Sequence, residues 1–166
     1  MTKKEASDAQ EKMIAKLLGW RQVTGSGSRN NFPGDVSGDE WLGECKTHVT
    51  THKVVFKESV WDKIREEATA RFKYPVYFSD NGWQRPQYTW VVFSERELPK
   101  EFSVIDYPKD VKSSLSFDAT DMLLSITDNY DVAYLFAFNT KSNELSTKKR
   151  RLLLTKLSVF ERLLSC

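Results

Sequence analysis

The sequence predicts an α/β fold: an α/β core with an antiparallel hairpin in it, followed by a mixed C-terminal α+β extension. Three observations carry this. An amphipathic stretch opens the chain, with Met13, Ile14, Leu17 and Leu18 at helical spacing. After a polar glycine-rich loop, two short runs on either side of Gly38-Asp39 read as a hairpin. A second helical period then precedes two β-rich runs, Pro75 to Phe78 and Tyr88 to Phe93. Helix, strands, helix and strands in that order describe an α/β core.

Residues 2 to 18 are the first predicted helix. Thr2 and Glu5 have capping-box spacing, with Ser7 or Asp8 as the cap of a later start. Gly19 stops it. Glu11 stands on the flank of the apolar stripe, three residues before Ile14, and is expected to look inward at one end of the sheet. Trp20 to Thr24 reads as a short strand, and residues 25 to 34 as the polar loop. Asp35-Val36-Ser37 and Trp41 to Thr47 are the two arms of the hairpin, and His48 to Lys53 is a linker. Val54 to Phe72 shows a helical period through Val60, Trp61, Ile64 and Ala68. The two β-rich runs that follow are joined by a loop containing Asn81-Gly82.

Glu95 to Asp110, with two prolines, reads as a loop. Ser114 to Phe117 is a candidate strand, Asp118 to Ile126 a helix or a continued strand, and Val132 to Phe138 a strand. Asn139 to Thr147 is polar. Arg151 to Leu157 reads as a strand, because Ser158-Val159-Phe160-Glu161 has capping-box spacing and opens a short helix to Leu164. The core is expected over residues 1–94, with 95–166 as an extension packed on the same domain.

A chain of 166 residues with 40% apolar and 29% charged residues is expected to bury one sizeable core, which excludes a disordered chain. A net charge of +2 is no nucleic-acid footprint by itself, so contact with DNA must come from local patches. The run Lys148-Lys149-Arg150-Arg151 is such a patch or a solvated loop. Two cysteines, Cys45 and Cys166, make neither a disulfide framework nor a zinc site, which fits a reducing compartment. No apolar run follows the first residues and none approaches membrane-spanning length. A cytoplasmic location, the host cytoplasm for a viral protein, and no membrane partner are expected. His48 and His52 have i, i+4 spacing, but the β-branched residues between them are poor helix formers and no third ligand is near in sequence. They are expected to flank a phosphate backbone or to be solvated. Trp83 and Trp90 are expected in the core.

The chemistry concentrates in the hairpin. Successive side chains on a strand point to opposite faces, so Glu44 and Lys46 share one face and Cys45 points to the other. If the arms pair, Asp35 reaches the same end of the sheet. Two carboxylates and an ammonium then converge. Hard cations such as Mg²⁺ are held by one or two carboxylates plus waters and phosphate oxygens. A lysine beside such an ion can orient or help deprotonate an attacking water. The bland alternatives are an exposed hairpin with an incidental Glu44–Lys46 pair, a solvated Glu11 beside Lys12 or Lys16, and Ser26 and Ser28 as turn formers.

An inward helix Glu, a Ser-Gly loop, Gly34-Asp35-Val36, a hairpin, Glu44-Cys45-Lys46, a helix and a strand together resemble the PD-(D/E)xK nuclease superfamily. Within it the likeness is to archaeal and phage Holliday-junction resolvases. It spans roughly residues 5 to 93 and is most specific from Gly25 to Lys46. The resemblance implies a restriction-endonuclease-like core, a mixed sheet containing the hairpin with helices at its sides. It implies a Mg²⁺-dependent, structure-selective DNA endonuclease of recombination and repair, with Mn²⁺ able to substitute, working as a homodimer on four-way junctions. A restriction- or repair-type nuclease on duplex DNA, or a non-catalytic DNA-binding protein of the same fold, is the alternative.

Carried onto this chain, Asp35 and Glu44 are the metal-binding carboxylates and the backbone carbonyl of Cys45 a further ligand. The resemblance makes Lys46 the catalytic lysine. On the same resemblance Glu11 would support a second metal or a metal-bound water. Ser26 stands near the scissile phosphate, with Ser28 as its rival, and Ser28, Arg29, Lys53 and Lys57 are expected on DNA. Two departures stand out. Gly34 separates Pro33 from Asp35, and Thr24 occupies the end of the first strand, where the resolvases carry an arginine.

Overall fold

The structure, a computed structural model, describes residues 2–23, 34–97, 102–120, 132–139 and 151–165. Helix α1 (Lys3–Leu18) starts where its capping box predicts. Thr2 Oγ1 accepts the Glu5 N–H at 3.2 Å, and Glu5 accepts the Thr2 N–H at 2.6 Å. Gly19, at φ 68°, caps the other end. Strands β1 (Arg21–Gln22), β2 (Val36–Ser37) and β3 (Trp41–Thr47) follow, and β2 and β3 form the predicted antiparallel hairpin.

Then come β4 (Val54–Lys57), α2 (Glu58–Thr69), β5 (Tyr74–Asp80) and β6 (Thr89–Ser94). The rest of the described chain forms β7 (Ser103–Asp106), β8 (Ser114–Phe117), β9 (Val132–Phe136), β10 (Leu152–Lys156) and α3 (Leu157–Leu164). One mixed sheet runs β1-β2-β3-β5-β6-β10-β9-β7, and β4 pairs with β8 in a small second sheet. The fold is therefore α/β as expected, and β10, β9 and β7 extend the main sheet beyond β6.

Alternation along the strands sorts the core into two clusters. Leu42, Tyr77, Trp90, Val92, Leu152 and Leu154 pack with Trp61, Ile64 and Ala68 of α2 and with the small sheet. Trp41, Val76, Phe78, Val91, Phe93 and Leu153 pack with Ile14 of α1 and with Leu157 and Phe160 of α3. Both faces of the sheet are thus covered.

Four expectations are corrected. Val54 to Phe72 is not one helix: Val54–Lys57 is a strand, paired antiparallel with Ser114–Phe117, and α2 begins at Glu58. Val54 lies seven residues before Trp61, so the helical stripe extrapolates back through it. The β-branched Val54 and Val55 and the alternating burial of this run decide for strand once a partner exists. The expected loop Glu95 to Asp110 contains β7, which pairs parallel with β9. The last helix starts at Leu157, with no side-chain cap at Lys156; Leu157 and Phe160 are fully buried, and their packing, not the Ser158 box, sets its start. Trp90 is fully buried, but Trp83 is 51% exposed. Asp118 to Ile126 and Asn139 to Thr147 lie largely outside the described residues. Among the described residues no helix is long and apolar enough to cross a membrane.

Candidate active site

The hairpin is asymmetric. β2 pairs with β3 at Val36↔Gly43 and Ser37↔Leu42, so among the described residues that edge of β3 has no strand partner beyond Gly43. Asp35 fills the gap. Its N–H donates to the Gly43 carbonyl at 2.7 Å, and its Oδ2 accepts the Cys45 N–H at 2.8 Å. The side chain thus replaces the next rung of the ladder and is fixed against the edge of β3. A strand residue's N–H and C=O face the same edge, so the Cys45 carbonyl faces this one too.

Glu44 and Lys46 leave β3 on the α2 face. The Lys46 ammonium is 3.1 Å from Glu44 Oε1. Glu44 is buried, at 5% exposure. Burial first, and then the charge of Asp35, push its carboxyl up to about 7, while the cations of Lys46 and Lys63 pull the other way. Burial alone would lower Lys46; the adjacent Glu44 carboxylate outweighs it and holds the ammonium above its ordinary value. Cys45 points to the other face among apolar residues, and burial drives its thiol well up, which leaves it a poor nucleophile.

Glu11 approaches from the α1 side. It is buried and accepts hydrogen bonds from Gln22 Nε2 at 3.0 Å and from Ser7 at 3.4 Å. Its pKa is raised, by burial first and also by Asp35 and Asp8, against the Gln22 and Ser7 bonds. Its partner is therefore Gln22, not Lys12 or Lys16. Glu5 is used in the N-cap and Asp8 is exposed. Asp35 is the shared electrostatic neighbour of Glu11 on one face and Glu44 on the other.

Several supports carry no motif. Gln10 Nε2 donates to the Lys46 carbonyl at 2.7 Å and joins α1 to β3. Glu67 of α2 accepts the Gly34 N–H at 3.1 Å and fixes the bend before Asp35. Gly34 sits at φ 72°, and a Cβ there would meet Leu42 Cδ1 at 2.9 Å, so no other residue fits this bend without strain. Thr47 donates to the buried Asp80, whose carboxyl burial pushes up to about 6. A glutamine beside Glu11 and a glutamate on a charged helix look like surface residues in sequence, so nothing local announces these roles.

The other predicted residues scatter. Lys53 and Lys57 are exposed, on the linker and at the end of β4. His48 is half-buried, with burial lowering its pKa, and His52 is exposed. Ser26, Ser28, Arg29 and the basic residues 148 to 150 lie outside the described residues. Arg151 pairs with Glu95 at 3.0 Å.

Among the described residues no three His, Cys, Asp or Glu side chains are gathered into a ready metal cage. The donors at the hairpin end are two carboxylates and a backbone carbonyl. Their chemistry fits a hard cation that keeps waters and takes substrate phosphate oxygens, which needs no cage made wholly of protein. No family model, no curated protein and no solved structure matches this chain.

Proposed function

We propose that this chain is a divalent-metal-dependent DNA endonuclease that hydrolyses phosphodiesters, with branched DNA such as a four-way junction as its substrate. The observation that supports it is the meeting of Asp35, Glu44 and Lys46 at the end of β3, just past the last β2 pairing among the described residues. A buried carboxylate that the fold neutralises only in part is an unfavourable placement for a structural residue.

Asp35, Glu44 and the Cys45 carbonyl would hold the cation, Mg²⁺ or Mn²⁺, with Glu11 behind Asp35. When bound, it polarises the phosphodiester and lowers the pKa of a bound water. The residues do the rest. The Cys45 N–H holds the Asp35 carboxylate in place against the edge of β3, so it loses little rotamer freedom there. Glu44 keeps Lys46 charged at neutral pH. The ammonium then stands ready to orient the attacking water and to stabilise charge on the phosphoryl oxygens. Cleavage of two strands of a junction at symmetric positions calls for two such sites, which a two-fold homodimer supplies.

The test is cleavage of a synthetic four-way junction and of the matching linear duplex, each with and without Mg²⁺. Junction cleavage that requires the metal supports the reading. Equal cleavage of both substrates turns it into a duplex nuclease. No cleavage of either in Mg²⁺ or Mn²⁺, with DNA binding retained, makes this a binding protein instead.

A further inference from the structure

β5 runs parallel to β3, with Lys46 beside Ser79 and Thr47 beside Asp80. The turn after Asp80 therefore leaves the sheet at the same end as the candidate site. This turn is firmly built. Gly82 N–H donates to Asp80 Oδ1 at 2.9 Å and Trp83 N–H to Asn81 Oδ1 at 3.2 Å. Gln84 Nε2 donates to the Gly82 carbonyl at 2.6 Å and to Thr47 Oγ1 at 3.3 Å, which ties the turn to the residue after Lys46. Gly82, at φ 97°, lies flush on the linker, where a Cβ would meet Val49 Cα at 2.8 Å.

On this rigid base Trp83 is left 51% exposed. Tyr88 leans on it at 5.0 Å and 70°, and His52 at 6.3 Å and 44°, so neither ring lies flat against it. Gly82, Trp83, Gln84, Arg85 and Tyr88 line a cavity of about 540 Å³, within the range of small-ligand sites. Arg85, exposed at its rim, brings positive charge. A second cavity, of about 380 Å³, lies on the α1 side of the same end of the sheet, lined by Lys3 and Ser7 of α1, by Cys45, Lys46 and Thr47 and by the linker to Thr51. Residues 48 and 49, on which the Trp83 turn packs, help line it.

We propose that the Trp83–Tyr88–Arg85 pocket holds an unpaired nucleobase of the DNA whose backbone lies at Lys46, by stacking on Trp83 with a phosphate on Arg85. This rests on the nuclease reading and adds a reason for preferring branched DNA. A base inside a duplex shows its faces only to its neighbours. A base at a junction, a gap or a frayed end offers a free π-face, and aromatic stacking accepts any of the four bases. The charge of Arg85, the aromatic surface of Trp83 and their place at the Lys46 end of the sheet all match that one occupant.

The experiment is metal-free binding of an Asp35→Asn protein, measured by fluorescence anisotropy. Its probes are a labelled dT oligonucleotide, a gapped duplex and a blunt, fully paired duplex. Adding Trp83→Ala is expected to weaken binding to the first two about tenfold, the scale of one base–aromatic stack, and to change binding to the blunt duplex less than twofold. Trp83→Phe is expected to keep most of the affinity. Because Trp83 is half exposed, its melting temperature serves as a control that either variant folds. Unchanged binding to unpaired DNA, or an equal loss on all three probes, overturns the pocket. Cleavage by the Asp35-bearing chain is read separately. A chain that cuts nothing yet shows the Trp83 effect overturns the nuclease and keeps the pocket, and a junction-cutting chain indifferent to Trp83 does the reverse.

Discussion

β3 and β10 are both interior strands of one sheet, and both are almost wholly buried, yet they differ in what they bury. β10 presents Leu152, Leu153 and Leu154 at no more than 2% exposure, and the hydroxyl of its buried Thr155 donates to the Val132 carbonyl at 2.8 Å. It is paired on both sides, with β6 and with β9. β3 buries Trp41, Leu42 and Cys45 and, between them, Glu44 at 5% exposure. Its β2 partner ends at Gly43. The apolar strand is thus flanked by β6 and β9, and the acid and the lysine of β3 stand just past the last residue that β2 pairs. Burial of an acid costs stability unless it is compensated, and Lys46 compensates it only in part. What the fold gives up at Glu44 is what the proposed chemistry would use, a carboxylate held in low dielectric next to another.

Substitution in the charged region is expected to have its largest effect on activity. Lys46→Ala or Asp35→Asn is expected to lower single-turnover cleavage of a four-way junction by on the order of a thousandfold, the scale of losing one preorganised polar group. Junction binding should stay within a few-fold. Full activity of either variant in Mg²⁺ would sink the site assignment.

In the apolar region the effect moves to stability. Leu153→Ala removes a fully buried side chain and is expected to destabilise by about 2–5 kcal/mol in denaturant titration. Glu44→Gln is expected to do the opposite at alkaline pH. The folded-state pKa of Glu44 is raised to about 7, above the ordinary 4.5. The folded chain therefore holds the extra proton between those values, and stability falls as pH rises from about 4.5 through about 7. Glu44→Gln removes this slope and is expected to gain roughly 1 kcal/mol at pH 8, with cleavage lost. A variant with the wild-type slope between pH 5 and pH 8 would show that Glu44 is already fully compensated. The same group gives cleavage an acid limb. The rate should rise with pH toward about 7, and the limb should move lower as Mg²⁺ is raised, because the ion competes with the proton.

The sequence made the hairpin legible because alternation and a Gly-Asp turn act locally, and the register of Glu44 and Lys46 follows from period two alone. The capping box of α1 was legible for the same reason. β4 was not, because Val54 satisfies the helical stripe of Trp61 and Ile64 as well as it does a strand, and its partner lies some sixty residues away at Ser114–Phe117. Strand β7 was hidden likewise: Ser103–Asp106 is exposed along its whole length, and only its pairing with β9 makes it a strand. At the site the charged residues announced themselves, but Gln10, Glu67 and Asp80 did not, since an uncharged amide or a helix acid gains its role only from what the fold brings against it.

Gln10 is the link between the two kinds of region, and its loss is expected to change the rate least. It lies on the buried side of α1, beside Glu11 and four residues before Ile14, and is itself fully buried. Its amide donates to the Lys46 carbonyl, so the packing of α1 against the sheet is transmitted to the end of β3. Gln10→Ala removes that donor from a carbonyl at the end of the β3–β5 ladder and is expected to cost about 1 kcal/mol of stability. If the bond only braces the fold, cleavage measured well below the melting temperature should not change. If it positions Lys46, the rate should fall several-fold with DNA affinity intact, and Gln10→Asn, too short to reach, should behave like the alanine variant. The split between stability and rate decides whether the charged end of β3 is a separate device or an extension of the core beneath it.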